Sequence, residues 1–327
     1  MHVVITGGAG FIGKKLASAL LERGALETAS GRQTIEKLTL FDVVEAEGLP
    51  GDRRLSTVAG DITDLAEVHG VIRDNVDGVF HLAAIVSANA EEDFDLGIRV
   101  NLEGTRNVLE ACRALPEPAR LVFASSVAVY GGDMPAVLDD GSILTPQTSY
   151  GAQKAIGELL VGDYSRKGFV DGRALRLPTI VVRPGRPNRA ASTFASSIIR
   201  EPLAGQDAIC PVSRDAAMYV LSPRRVVEAL IRAFELPPEA FGATRMLTLP
   251  GITVSIGEMV DALAEVAGER VARRVKWQPD PVIQKIVAGW PTAFDAKRAS
   301  AMGFEADRNF AEIIRAHIED ELGGRIG

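Results

Sequence analysis

His2-Val3-Val4-Ile5-Thr6-Gly7-Gly8-Ala9-Gly10-Phe11-Ile12-Gly13 opens the chain. A short apolar run meets a cluster of glycines, and a helical pattern follows. Phe11, Ile12, Leu16, Ala19 and Leu20 recur at helical spacing, and Gly24 is a natural stop. The stretch therefore reads as strand, glycine turn, helix. Gly8, Gly10 and Gly13 fit G-x-G-x-x-G, and Gly7, Gly10 and Gly13 fit the looser G-x-x-G-x-x-G. In this context the pattern points to a dinucleotide site. Glycines let the backbone approach a pyrophosphate, which sits on the helix N-terminus.

The next strand, Lys37-Leu38-Thr39-Leu40-Phe41-Asp42, ends in an acid. An acid there accepts hydrogen bonds from both adenine-ribose hydroxyls and repels a 2′-phosphate. Val43 and Val44 follow, so no arginine is placed to hold that phosphate. The expected cofactor is NAD rather than NADP. The distance from Gly13 to Asp42 exceeds the usual spacing of about 20 residues. A polar loop insertion from Glu27 to Glu36 accounts for the excess.

The rhythm continues along the chain. Leu55 to Ala59 runs into Gly60-Asp61-Ile62, where Asp61 is placed to reach the adenine amine. Gly78 to His81 leads into Leu82-Ala83-Ala84, small residues that leave room for a cofactor. Leu121 to Ser126 is a fifth strand, and helical segments, including Asn101 to Ala114, separate the strands. Strands alternating with helices predict a parallel sheet covered on both faces.

Ser125-Ser126-Val127-Ala128-Val129-Tyr130-Gly131 closes the fifth strand, on the side where open α/β sheets bind ligands. Tyr150 and Lys154 follow in Ser-Tyr-Gly-Ala-Gln-Lys. Residues four apart share one helix face, so a phenol and an ammonium stand side by side. Lowering a phenol pKa from about 10 to about 7 takes about 4 kcal/mol of differential stabilisation. An adjacent cation acts in that direction.

At this point the chain resembles the extended short-chain dehydrogenase/reductase superfamily. The likeness is carried by Thr6 to Gly13, Asp42, Asp61, His81 to Ala84, Ser125-Ser126 and Tyr150 to Lys154, in that order. It implies an α/β fold, a Rossmann-type doubly wound parallel sheet with a smaller C-terminal substrate lobe. Residues 1–177 would form the NAD-binding domain, with 221–250 returning to it. Residues 178–327 would be mainly the substrate lobe. The resemblance implies that Tyr150 is the general base for oxidation. Lys154 would lower its pKa and hold the nicotinamide ribose, Ser126 would position the substrate oxygen, and Ser125 would be its cofactor-side neighbour. Gly7, Gly10, Phe11, Ile12, Gly13, Asp42, Asp61, Ile62, Ala83, Ala84, Asn101, Pro178 and Ile180 would complete the NAD site.

Dehydratases of this superfamily carry an Asp-Glu pair beside the catalytic hydroxyl. Val127 and Ala128 stand there instead, and two apolar side chains do no acid/base work. The segments Arg176 to Asn188, Ile199 to Gly205 and Leu221 to Arg224 resemble the D-erythronate dehydrogenase family. That family oxidises the C2 hydroxyl of a four-carbon sugar acid with NAD. A carboxylate substrate calls for a cationic clamp, and arginine supplies a bidentate one. Arg183 is the first candidate and Arg224 the second, with Ser87 and Asn188 as partners for substrate hydroxyls. Three alternatives remain at this stage: a uronate dehydrogenase, a nucleotide-sugar 4-epimerase, and a non-catalytic NAD sensor.

Hydrophobic content of 46% and charged content of 24% are ordinary globular values. A net charge of −7 gives no basic footprint for nucleic acid. Cys112 and Cys210 make no disulfide framework and read as reduced, in a cytoplasmic protein. A first strand beginning at residue 2 leaves no room for a signal peptide, and no apolar run reaches the about 18 residues of a membrane span. His2, His69, His81 and His317 show no metal-ligand spacing, and His81 reads as packing at a strand end. The resemblance further implies a homodimer through helices that include the Tyr150 helix.

Overall fold

The computed structural model describes residues 1–28, 30–185 and 191–326. Two compact units divide the chain. The first comprises Met1–Val129, Thr148–Arg176 and Val227–Thr248, and the second Tyr130–Gln147, Leu177–Val226 and Leu249–Gly327.

A seven-stranded sheet organises the first unit. Its strands are β1 (His2–Thr6), β2 (Lys37–Asp42), β3 (Leu55–Ala59), β4 (Val76–His81), β5 (Arg120–Ser126), β6 (Asp171–Leu177) and β7 (Met246–Thr248). Across the sheet they run β7-β6-β5-β4-β1-β2-β3. The pairings of β1 with β2 and β4, β2 with β3, β4 with β5, and β6 with β7 are parallel. The strand order therefore reverses between β1 and β4, and ligands bind such sheets outside the C-terminal strand ends at that point.

The sequence accounts for this local structure. Val3, Val4 and Ile5 are fully buried, as a strand covered on both faces requires. The helix Phe11–Arg23 follows β1 and ends at Gly24, whose positive φ of 70° closes the last turn with a bond from its N–H to Leu20 O. The helix Ser149–Arg166 starts at Thr148, whose side chain accepts from Gly151 N at 3.1 Å. Its Gly157 lets it close on β5, since a Cβ there would lie 2.8 Å from the Phe123 ring. Val4, Phe41, Val79, Leu121 and Phe123 belong to the apolar core of this unit.

Two expectations are corrected here. The 27–36 insertion is not a plain loop. Ala25–Thr28 pairs antiparallel with Gly31–Thr34, and the Thr28 hydroxyl donates to Gly31 O. The segment expected as one helix from Asn101 begins earlier and wider. Ile98–Glu103 is a π-helical turn that leads into the α-helix Gly104–Arg113. Such widened turns recur at functional sites.

The second unit has its own core, which includes Val181, Ile198, Met218, Val220, Met259 and Ile314. It holds a three-stranded sheet ordered Ile252–Ser255, Ala217–Leu221, Thr179–Ile180. The helix Ile256–Ala267 opens with the capping box read from the sequence. Ser255 accepts from Glu258 N at 3.1 Å while the Glu258 carboxylate accepts from Ser255 N at 2.7 Å. The closing helix, Phe310–Leu322, is capped by Asn309. Among the described residues no helix is long and apolar enough to cross a membrane.

Candidate functional site

The glycine turn is built as an anion cradle. Gly7 has a φ of +72°, and a Cβ on it would lie 2.7 Å from Ala83 N. A Cβ on Gly13 would lie 2.3 Å from Gly7 O, so only glycine lets the helix pack this close to the turn. Gly10 caps the helix without any side-chain bond, and no acid stands in the first turn. The early N–H groups, including those of Phe11 and Ile12, have no intrahelical acceptor by geometry. Together with the helix dipole they favour a phosphate.

Asp42 sits at the end of β2 beside this turn. Its Oδ2 accepts from Ala9 N at 3.0 Å and its Oδ1 from Val43 N at 2.8 Å. Val43 and Val44 are exposed and offer no cation. A glycine cradle beside an acid that two valines follow fits NAD. Asp61 is engaged locally, accepting from Thr63 N at 2.8 Å. Ile62 is buried against Gly104. Ala83 and Ala84 follow β4, with Ala83 against Gly7. Pro178 and Ile180 lie in the second unit, where Ile180 pairs with Leu221.

Asn101 is buried in the π-helical turn. Its amide brackets Ile85, accepting from the N–H at 2.7 Å and donating to the carbonyl at 3.1 Å. It also donates to Gln153 Oε1 at 2.7 Å. The side chain thus joins the chain after β4 to the Tyr150 helix. His81 is buried between two threonines. Thr105 Oγ1 donates to Asn101 O at 2.6 Å, so it accepts from His81 Nε2 at 2.9 Å. His81 Nδ1 is then the acceptor for the Thr6 hydroxyl at 2.7 Å. Burial, with Lys154 nearby, pushes the His81 pKa down to about 3.

Tyr150 and Lys154 share a face of the Ser149–Arg166 helix, with the Lys154 Nζ 5.7 Å from the centre of the Tyr150 ring. Tyr150 is half-buried and Lys154 buried. The ammonium donates to Ala124 O at 2.8 Å and lies 4.6 Å from the centre of the Phe123 ring. Burial lowers its pKa to about 7, and the Glu158 charge opposes that. Ser126, half-buried at the end of β5, accepts from Ala128 N at 3.1 Å. Ser125 turns inward and donates to Glu158. A phenol, a cation and a hydroxyl on neighbouring elements make a set that can take a proton from a bound alcohol.

The remaining candidates are placed differently. Ser87 begins the short helix Ser87–Glu92 in the first unit. Arg183, in the second unit, donates from its guanidinium to Ser192 Oγ at 3.0 Å, and its carbonyl accepts from Arg200. Arg224 is bound by Asp320 and Glu319 at 2.6 and 2.8 Å, which raises its pKa. Asn188 lies outside the described residues. Sequence reading missed Glu158, although its place four residues after Lys154 was a usable signal.

The NAD dependent epimerase/dehydratase family matches residues 3–241. A D-erythronate dehydrogenase of Cupriavidus necator is 53% identical over 320 residues, covering 98% of each chain. One of Haemophilus influenzae is 44% identical over 98% of this chain and 100% of its own. A solved structure described as a nucleoside-diphosphate-sugar epimerase from Agrobacterium tumefaciens is 44% identical, with a TM-score of 0.94 over 100% of this chain and 96% of its own. Given the glycine cradle, the acid at the end of β2 and the Ser-Tyr-Lys set, the chain belongs to the NAD dependent epimerase/dehydratase family.

Proposed function

We propose that this protein is an NAD-dependent dehydrogenase that oxidises the C2 hydroxyl of D-erythronate to the 2-oxo acid. The observation that carries the reading is the end-to-end likeness to two proteins named for that activity. The site supports it. Lys154 favours the ionised form of Tyr150, which takes the hydroxyl proton, and Ser126 orients the same oxygen. Bound NAD supplies the acceptor for the C2 hydrogen and its electron pair. We assign NAD binding to the first unit and substrate recognition mainly to the second. Arg183 is assigned to the carboxylate, because Arg224 is already committed to two acids.

A second reading, nucleotide-sugar epimerisation, is favoured by the name of the Agrobacterium structure. NADH formation with D-erythronate, L-threonate, D-glucuronate and UDP-galactose, each with NAD and NADP, separates the two. Turnover on D-erythronate with NAD, lost in Tyr150→Phe, is the expected result. Turnover on glucuronate alone would assign a uronate dehydrogenase. No NADH with any acid, but interconversion of the nucleotide sugar, would establish the epimerase.

We also infer a homodimer, since Ile156 and Leu159 stand exposed on the Tyr150 helix. Light scattering that returns a single-chain mass would end that reading. The buried, unbridged Cys112 and Cys210 fit a reducing cytoplasm, which cell fractionation tests.

A further inference from the structure

Glu158 has no part in the proton transfer above, yet it is 0% exposed. A carboxylate leaves water at this depth only when it is paired and hydrogen-bonded. Helical spacing places it on the face of Lys154 and Tyr150. Arg176, in β6, grips it in fork geometry. Its Nε lies 3.0 and 3.1 Å from the two carboxylate oxygens, and its second nitrogen 2.8 Å from Oε2. The Ser125 hydroxyl donates to Oε1 at 2.5 Å.

Ser125 stands between two residues of the site. On one side is Ala124, whose carbonyl accepts from Lys154. On the other is Ser126, assigned to the substrate oxygen. One carboxylate therefore ties β5, β6 and the Tyr150 helix together where the reacting groups emerge. The charged and titratable groups that face Lys154 or its neighbour Glu158 come from several elements. Its own helix gives Tyr150 and Glu158, β6 gives Arg176, and β4 gives His81. The neighbouring part of β5 contributes the Phe123 ring and the Ala124 carbonyl, which do not titrate. Glu158 is the anion of this set. Burial drives Lys154 towards its neutral form, and Glu158 resists that shift.

We infer that Glu158, held by Arg176, is a positioning residue that keeps the buried Lys154 protonated while Tyr150 ionises and fixes the β5 end through Ser125. Its effect on turnover rests on the dehydrogenase reading. Its effect on Lys154 does not.

The test uses Glu158→Gln, which keeps shape and an acceptor for Ser125 but loses the charge. That change takes the carboxylate from the buried Arg176, so the variant can fail to fold. The double variant Glu158→Gln/Arg176→Gln removes both charges and is the second arm. Lys154 is followed in ligand-free protein by NMR of isotope-labelled lysine, with its signal assigned by loss in Lys154→Arg. In folded Glu158→Gln Lys154 should titrate at least one pH unit lower than in the wild type, and in the double variant it should titrate lower than in Arg176→Gln, from which it differs only at Glu158. The acid limb of kcat should rise by a similar interval, and kcat at pH 7 should fall tenfold or more. Glu158→Asp should recover part of each.

An unmoved lysine titration in folded Glu158→Gln, or a Lys154 midpoint in the double variant no lower than in Arg176→Gln, would reduce Glu158 to a packing residue, whatever happens to kcat. A Lys154 midpoint below pH 7 in the wild type would overturn the inference with no variant at all. If the wild type does not reduce NAD with D-erythronate, the dehydrogenase reading falls, and the lysine titration still decides the role of Glu158.

Discussion

Replacing His81 by glutamine should change how stability depends on pH as well as lowering stability at pH 7. The folded-state pKa of His81 is lowered to about 3 by burial. An unfolded histidine titrates near 6.5. Between those values the unfolded state binds the extra proton, so stability is present above about pH 6.5 and is lost as pH falls. At pH 4.5 the folded ring is still neutral, and the cost is set by the unfolded one, about two pH units below its own pKa. At 1.36 kcal/mol per unit, less the small part already lost at pH 7, this comes to about 2.5 kcal/mol. The ring is fully buried, so solvent does not screen the cost. Glutamine does not titrate, and its amide offers the same one acceptor and one donor but on a longer, flexible side chain that does not reproduce the ring's fixed geometry. The variant should therefore be weaker at pH 7 by about 1–3 kcal/mol. Urea unfolding of both proteins at pH 7.0 and 4.5 measures the gap, and carboxylates shared by both cancel in the difference. Far-UV circular dichroism is the suitable probe, because Trp277 and Trp290 both lie in the second unit. The gap should close or reverse at pH 4.5. A gap of the same size at both pH values would refute the reasoning.

Gly13→Ala puts a Cβ 2.3 Å from Gly7 O and 2.8 Å from Gly8 Cα, so the turn must open by about 1 Å. NAD affinity by calorimetry should fall about 100-fold in a protein that still folds, and an unchanged Kd would remove the turn from cofactor binding. Asp42→Ser gives up charge-assisted bonds to the ribose and the repulsion of a 2′-phosphate. NAD should weaken about tenfold or more while NADP gains, and an unaltered preference would end that role for Asp42. Arg183→Met should raise KM for the sugar acid about tenfold to 100-fold, with NAD affinity retained. A KM equal to that of the wild type would take Arg183 out of the clamp.

The parts legible in the sequence were those in which neighbours along the chain decide the structure. The opening strand, turn and helix, the Tyr150–Lys154 spacing and the Ser255–Glu258 capping box each depend on a few consecutive residues. The 27–36 insertion reads as a loop because polar residues with a glycine describe a loop and an exposed hairpin equally well. In the widened turn Ile98–Glu103, Asn101 reaches Ile85 and Gln153, and no local periodicity encodes that reach. Arg224 looked available because its acids, Glu319 and Asp320, are some ninety residues away along the chain. Glu158 was hidden differently. Its spacing was visible, but its partners Ser125 and Arg176 come from two other strands, so its burial was not.

The last strand of the sheet has a consequence for biosynthesis. β7 pairs with β6 at Ala174 to Arg176, yet residues 178–245 are made between them. A ribosome adding about 5–20 residues per second needs several seconds to cross that interval. Throughout it, the outer edge of β6 waits without its permanent neighbour, and an open edge is a template for another chain. The nascent protein thus carries an open, template-like strand edge after Ser126, Tyr150 and Lys154 have been synthesised and before Met246–Thr248 arrives. Premature termination in that window would release a chain carrying Ser126, Tyr150 and Lys154 and an unfinished sheet.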